Sequence, residues 1–118
     1  MRIEEIFGSL GSIDMISKRE DCVDLLMIVN GYVDGSAEEL AALNAKLKYY
    51  NDYAESDEFM ELYPGIEVFI AVSFTERPSD KVLTRLYEWY DDMANSRAEL
   101  KATVAGLPLY FIWKGRIW

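Results

Sequence analysis

Apolar residues follow two rhythms along this chain, one helical and one alternating, and the rhythm changes wherever glycine, proline and serine gather. Ile3, Ile6, Phe7 and Leu10 stand at helical spacing and predict a short opening helix over residues 2–10, broken by Gly11-Ser12. Residues 13–17 read as a short strand, Lys18-Arg19-Glu20-Asp21 as a polar hairpin turn, and residues 22–30 as a second strand. There Leu25, Leu26, Met27, Ile28 and Val29 leave neither face polar, the pattern of an interior strand covered on both sides or mostly so. After a loop over 31–35, Ser36 and Glu39 have the spacing of a capping box, in which the serine oxygen takes a free backbone N–H and the glutamate reaches back. Leu40, Leu43, Leu47, Tyr50 and Ala54 then form one buried helical stripe. Ser56-Asp57-Glu58 can restart a short acidic helix, which Tyr63-Pro64-Gly65 ends.

Residues 66–75 alternate strictly. Ile66, Val68, Ile70, Val72 and Phe74 point one way, and Glu67, Phe69, Ala71, Ser73 and Thr75 the other. Pro78-Ser79 opens a second long helix with the stripe Val82, Leu83, Leu86, Tyr90 and Met93, closed at Asn95-Ser96. Residues 99–104 alternate again, and Gly106-Leu107-Pro108 reads as the turn into an aromatic last strand over 109–114. The predicted order is α-β-β-α-β-α-β-β. Strand–helix–strand units cross over right-handed, so the expectation is one α+β sandwich over residues 1–118: a mixed sheet of about five strands with both main helices on one face.

Composition narrows the chemistry. Hydrophobic residues make up 51% of the chain, enough to place it among folded domains despite a net charge of -9. The absence of histidine removes the Ser-His-Asp and Cys-His arrangements and histidine-built zinc sites. Cys22 stands alone among acidic neighbours, which disfavour a thiolate, and it cannot form an internal disulfide, as suits a cytoplasmic protein. Gly8-Ser9-Leu10-Gly11 lacks the lysine and the strand–helix context of a phosphate-binding loop. No apolar run is long enough to span a bilayer, and the acidic start is no signal peptide. With 21 acidic against 12 basic residues, and Lys18-Arg19 followed at once by Glu20-Asp21, the chain would repel nucleic acid and anionic lipid. No metal or cofactor is expected. Carboxylates are the only abundant catalytic type, and no converging loop of them is evident; Asp91-Asp92 splay apart.

The residues 13–90 carry a resemblance. Ile13-Asp14, the strand Val23-Asp24-Leu25-Leu26-Met27-Ile28-Val29 and the helix Leu43-Asn44-Ala45-Lys46-Leu47-Lys48-Tyr49-Tyr50 come first. With Ala54-Glu55-Ser56-Asp57-Glu58-Phe59 and Val68-Phe69-Ile70-Ala71-Val72-Ser73-Phe74, they resemble a family of small bacterial domains of unknown function. The chain departs from that family where Asn30-Gly31-Tyr32 replaces an aspartate and an aromatic, and where Asn44 precedes Lys46. The resemblance implies the fold and a bacterial origin, and no activity. By type, as a small acidic single domain, the chain also looks like the immunity proteins of bacterial toxin systems.

Charge and aromatic residues together locate a candidate surface. Between residues 34 and 67, nine carboxylates stand against Lys46 and Lys48. Tyr49 and Tyr53 lie one turn apart beside the leucine stripe, and Asp52, Glu55 and Glu58 would share a helix face if the helix ran on through Ser56; Asp57 adds to them. Rigid aromatic anchors ringed by acids suit a basic protein partner, in the concrete case a nuclease-type toxin neutralised without catalysis. The competing expectation is that the tyrosines simply pack at the helix end. Tyr87 and Trp89 raise the same ambiguity on the second long helix. A second candidate surface is the sheet face opposite the helices, where Phe69, Tyr110 and Phe111 would serve self-association of a structural or adaptor subunit; the chain is then a homodimer rather than a monomer.

Overall fold

The strand over Cys22–Val29 is longer than the first strand of the sheet, Met15–Lys18, and the local architecture follows from how its surplus on that side is satisfied. The computed structural model describes residues 3–108, together with the backbone of 112–113 and 116–117. Helix α1 spans Ile3–Phe7, strand β1 Met15–Lys18 and strand β2 Cys22–Val29. β1 pairs antiparallel with β2 from Lys18↔Val23 to Met15↔Leu26, so β2 runs on beyond its partner. Where the ladder stops, side chains take over: the Asp14 carboxylate accepts from Ile28 N at 2.8 Å, and the Tyr50 hydroxyl donates to Leu26 O at 2.6 Å while accepting from Asp14 N at 2.8 Å. These bonds satisfy the backbone groups that the ladder leaves over.

Helix α2, Ala37–Ala54, crosses over from β2, and the short helix α3, Asp57–Leu62, follows it. The capping box forms as expected, with Ser36 Oγ accepting from Glu39 N and Glu39 accepting from Ser36 N. Strand β3, Glu67–Phe74, and strand β4, Ala98–Val104, flank helix α4, Asp80–Asp92, and β5 is Leu107–Pro108. The sheet order is β1-β2-β3-β4-β5, with β2, β3 and β4 parallel and both outer pairs antiparallel, so this is the expected mixed five-stranded α+β sheet. β6, Ile112–Trp113, and β7, Arg116–Ile117, pair with each other.

One core joins the helices to one sheet face. Val23, Leu25, Met27 and Val29 of β2 and Val68, Ile70, Val72 and Phe74 of β3 meet Leu43, Leu47 and Tyr50 of α2, Val82, Leu83 and Leu86 of α4, and Ile6 and Phe7 of α1. At about 1.5–3 kcal/mol for each fully buried large apolar side chain, this layer supplies the drive to fold. The N-terminal ends of the two long helices touch as well. Gly35, with φ +94°, lies so close that a Cβ there would come within 2.8 Å of Lys81 Cβ.

The structure corrects the sequence reading in five places. β1 begins at Met15, because Asp14 is committed to the network at the ladder's end. Lys46, counted with Lys48 against the carboxylates of residues 34–67, lies fully buried within the α2 stripe; its Nζ donates to Phe7 O and pairs with the Asp14 carboxylate at 2.7 Å. β2 is interior, but its outer side is only part-covered: Leu26 is half-buried and Ile28 is 38% exposed. α4 stops at Asp92, with Met93 capping it, rather than at Asn95-Ser96. The last turn sits at Ala105-Gly106, both with positive φ (50° and 82°), so Leu107 pairs with Val104 and Pro108 with Thr103. A two-residue hairpin of this handedness follows the twist of its strands, whereas Pro108 had drawn the predicted turn too far along. Of the predicted strand over 109–114, only the backbone of 112–113 falls within the described residues, and it pairs with 116–117.

Two measurements test the network. Replacing Lys46 by alanine empties a buried site and takes the donor from Phe7 O, and should lower unfolding free energy by about 3 kcal/mol in urea titration, with much of the loss recovered in Lys46→Met combined with Asp14→Asn. Burial, reinforced by the Asp14 charge, pushes the Tyr50 phenol up to about 12. The folded state resists forming the phenolate, so Tyr50's contribution is complete below its unfolded value near 10 and is lost as pH rises toward 12. Tyr50→Phe should flatten that alkaline loss of stability.

Candidate functional site

The carboxylates and aromatic residues singled out from the sequence come together where α2 ends and α3 begins. The helix does not run on through Ser56: Glu55 caps α2, and Ser56 is the N-cap of α3, accepting from Phe59 N at 3.1 Å and donating to Tyr53 O at 2.7 Å. Asp52, Glu55 and Glu58 therefore belong to two helices and an intervening cap rather than to one helix face, which corrects the expected alignment.

Three aromatic rings fill the joint. Tyr53 meets Phe59 edge to face with centroids 5.2 Å apart, and Phe59 lies 5.0 Å from Tyr63. Arg97, on the loop just before β4, locks them from below. Its guanidinium stacks 5.1 Å from the Phe59 ring and donates to Tyr63 O at 2.7 Å and Ala54 O at 3.4 Å, taking carbonyls at the ends of both helices. Phe59 is wholly buried, and burial together with the charges of Glu58, Tyr63 and Tyr49 raises the Tyr53 phenol above its usual range. Tyr53 is thus largely a packing residue, and Tyr49, 39% exposed, is the outward tyrosine.

Around this joint Asp52, Glu55, Asp57, Glu58 and Glu61 are all exposed. Asp52 is answered by Lys48 at 2.7 Å, an exposed pair one turn back on α2 that contributes about 0.3–0.5 kcal/mol. Met60 and Leu62 are also exposed, at 41% and 60%, and sequence reasoning had not singled them out. The signal was there: Phe59, Met60 and Leu62 crowd a six-residue helix, and only one face of it can turn inward. None of α2, α3 or α4 carries a basic residue in its last turn, although cations are favoured there. Asp52 near the end of α2 and Asp91 and Asp92 at the end of α4 instead oppose their helix dipoles, each at about 0.3–1 kcal/mol.

Arg97 also lines an open cleft of about 380 Å³ at the end of α4, between Glu67, Tyr90, Asp91, Ser96 and Glu99. Tyr90 Oη and Glu99 stand 3.5 Å apart there. Among the described residues, no group of three or more histidine, cysteine, aspartate or glutamate side chains converges to hold a metal ion. The cleft opens at the N-terminal ends of β3 and β4, whereas ligand crevices in open α/β sheets lie beyond the carboxyl ends, where the strand order reverses. This order never reverses.

The second long helix resolves its ambiguity toward packing. Tyr87 and Trp89 pack against the core, and Trp89 Nε1 and Arg85 Nε both donate to Asn44 Oδ1, at 2.8 and 2.7 Å, bridging α4 to α2. On the sheet face away from the helices, Phe69 lies beneath Lys101, whose Nζ is 4.5 Å from the ring and which pairs with Asp24 at 3.2 Å; Arg19 reaches the same carboxylate at 3.1 Å. That half of the face is closed by ion pairs. The exposed apolar residues there are Met15 and Ile28, and Tyr110 and Phe111 lie outside the described residues.

No protein-family model, curated protein or solved structure matches this chain.

The Arg97 lock predicts a separable defect. Arg97→Ala should free α3 and raise hydrogen exchange of the Ser56–Tyr63 amides, while the amides of β2 and β3 stay protected. Ser56→Ala should do the same more weakly, at about 1 kcal/mol.

Proposed function

We propose that the protein is a non-enzymatic binding module whose α2–α3 face docks a basic protein. In its most concrete form it is a cytoplasmic bacterial immunity protein that covers the cationic surface of a nuclease-type toxin. One observation carries the reading: Tyr49, Met60 and Leu62 stand exposed among Glu55, Asp57, Glu58 and Glu61, on two helix ends held rigid by Arg97. Apolar anchors on a rigid base supply the short-range binding energy, and the surrounding carboxylates steer a cationic partner and reject an anionic one. The resemblance to small bacterial domains agrees with it in size and setting, and the solitary buried Cys22 fits a reducing compartment. No helix among the described residues is long and apolar enough to cross a membrane.

The test is whether a toxin gene adjoins this one, followed by stopped-flow mixing of the protein with that gene's product at rising salt; no such neighbour removes the immunity form of the reading. Asp57→Lys with Glu58→Lys should slow association by about tenfold or more at low salt and flatten the salt dependence. Tyr49→Ala with Leu62→Ala should act on dissociation instead. Unchanged rates in both double variants would place the interface elsewhere.

A second reading, self-association through the sheet face, is favoured by exposed Met15 and Ile28 beside half-buried Leu26. Because Phe69 is held under Lys101, Ile28→Glu is the sharper probe than Phe69→Glu. Sedimentation should then show a concentration-dependent dimer that Ile28→Glu abolishes; a monomer throughout the accessible range removes this reading.

A further inference from the structure

We propose that Asn30-Gly31 is a site of spontaneous deamidation and isoaspartate formation, and that Thr75 restrains it in the folded protein. Asn30 is the one asparagine of this chain followed by glycine; the others precede Ala45, Asp52 and Ser96. It lies directly after the last residue of β2, is exposed, and among the described residues its side chain has no hydrogen-bond partner. Gly31 has no Cβ to shield its nitrogen and takes φ +77°, a conformation other residues reach only with strain.

The chemistry needs only water. The Gly31 nitrogen gives up its proton to solvent and attacks Asn30 Cγ; the bond from Cγ to the side-chain nitrogen breaks, and ammonia leaves with a proton from solvent. The resulting succinimide is opened by water at either carbonyl, giving aspartate or isoaspartate. Both products carry one more negative charge, and isoaspartate adds a methylene to the main chain.

Two bonds hold the reactants apart. Gly31 N donates to Thr75 Oγ1 at 2.7 Å, so the attacking nitrogen must first leave that acceptor. Thr75 cannot follow it, since Thr75 N donates to Val29 O at 3.0 Å, across the ends of β2 and β3. On the other side Asn30 N donates to Ile6 O at 2.9 Å, fixing the residue to α1. Isoaspartate would lengthen the main chain between these two ties and disturb the Asn30–Ile6 bond that joins the end of β2 to α1.

Purified protein is incubated in warm, mildly alkaline buffer, and the acidic species is followed by isoelectric focusing, peptide mass and isoaspartate-specific enzymatic methylation. Wild type should form it slowly, at residue 30. Thr75→Val should form it about fivefold faster, the worth of one net hydrogen bond, and Thr75→Ser, which keeps the acceptor, should match wild type. Asn30→Ser should form none at this position. Conversion at Asn95 gauges general loosening: a Thr75→Val increase that is equal at Asn30 and Asn95 overturns the restraint. So does a Thr75→Val rate equal to wild type. An acidic species mapping only to other asparagines overturns the site itself.

Discussion

The ion pair between wholly buried Lys46 and Asp14, whose carboxylate keeps some contact with solvent, is the contact on which the first half of the molecule depends. A lysine whose side chain is wholly excluded from solvent has to find its acceptors nearby, and here they bracket the segment between α1 and β1: Phe7 O ends α1 and Asp14 precedes β1. That segment has little secondary structure of its own. It is positioned because Lys46 needs Phe7 O and Asp14, and because Asp14 in turn must take the Ile28 N–H that β1 is too short to reach. Tyr50, one turn further along α2, completes the same seam by bonding both Leu26 O and Asp14 N. A pair of this kind adds little net stability, since desolvation offsets most of the attraction. Its weight lies in what a wrong arrangement would cost, and that favours one register for β1 over its neighbours.

This also explains what the sequence could and could not reveal. Alternation placed β3 almost to the residue, because Ile70, Val72 and Phe74 must all face the helices whatever else happens. Ser36 and Glu39 announced α2 because a capping box is a local device. Nothing local marks Lys46 as buried, because its partner lies 32 positions away. The same limit applied to Arg97, whose bonds to Ala54 and Tyr63 cross 43 and 34 positions. Long-range polar pairs leave no periodic trace. The turn at Ala105-Gly106 escaped for a different reason: Ala105 adopts a conformation that its residue type does not advertise.

The candidate surface was legible in outline and not in detail. Nine carboxylates against two lysines over residues 34–67 pointed to the stretch where Asp52, Glu55, Asp57, Glu58 and Glu61 stand exposed around the α2–α3 joint. Once Lys46 is removed to the interior, Lys48 is the only one of those lysines left outside, and it is spent on Asp52. The outward charge is therefore concentrated toward α3, on Glu55, Asp57, Glu58 and Glu61, rather than along α2. The break at Ser56 turns α3 away from the axis of α2, and it is this bend that leaves Met60 and Leu62 outside the core.

Rigidity and exposure are coupled at this bend. A six-residue helix is far too short to persist alone in water, so α3 exists because Ser56 caps it, Phe59 is buried beneath it and Arg97 holds its final carbonyl. The same three contacts use up the inward face, which forces the remaining apolar residues outward. Docking on such a surface spares most of the ordering entropy that a mobile acidic loop would lose on binding. The fold can thus present apolar residues and carboxylates together because a cation, Arg97, is held beneath them, where it takes the carbonyls at both helix ends.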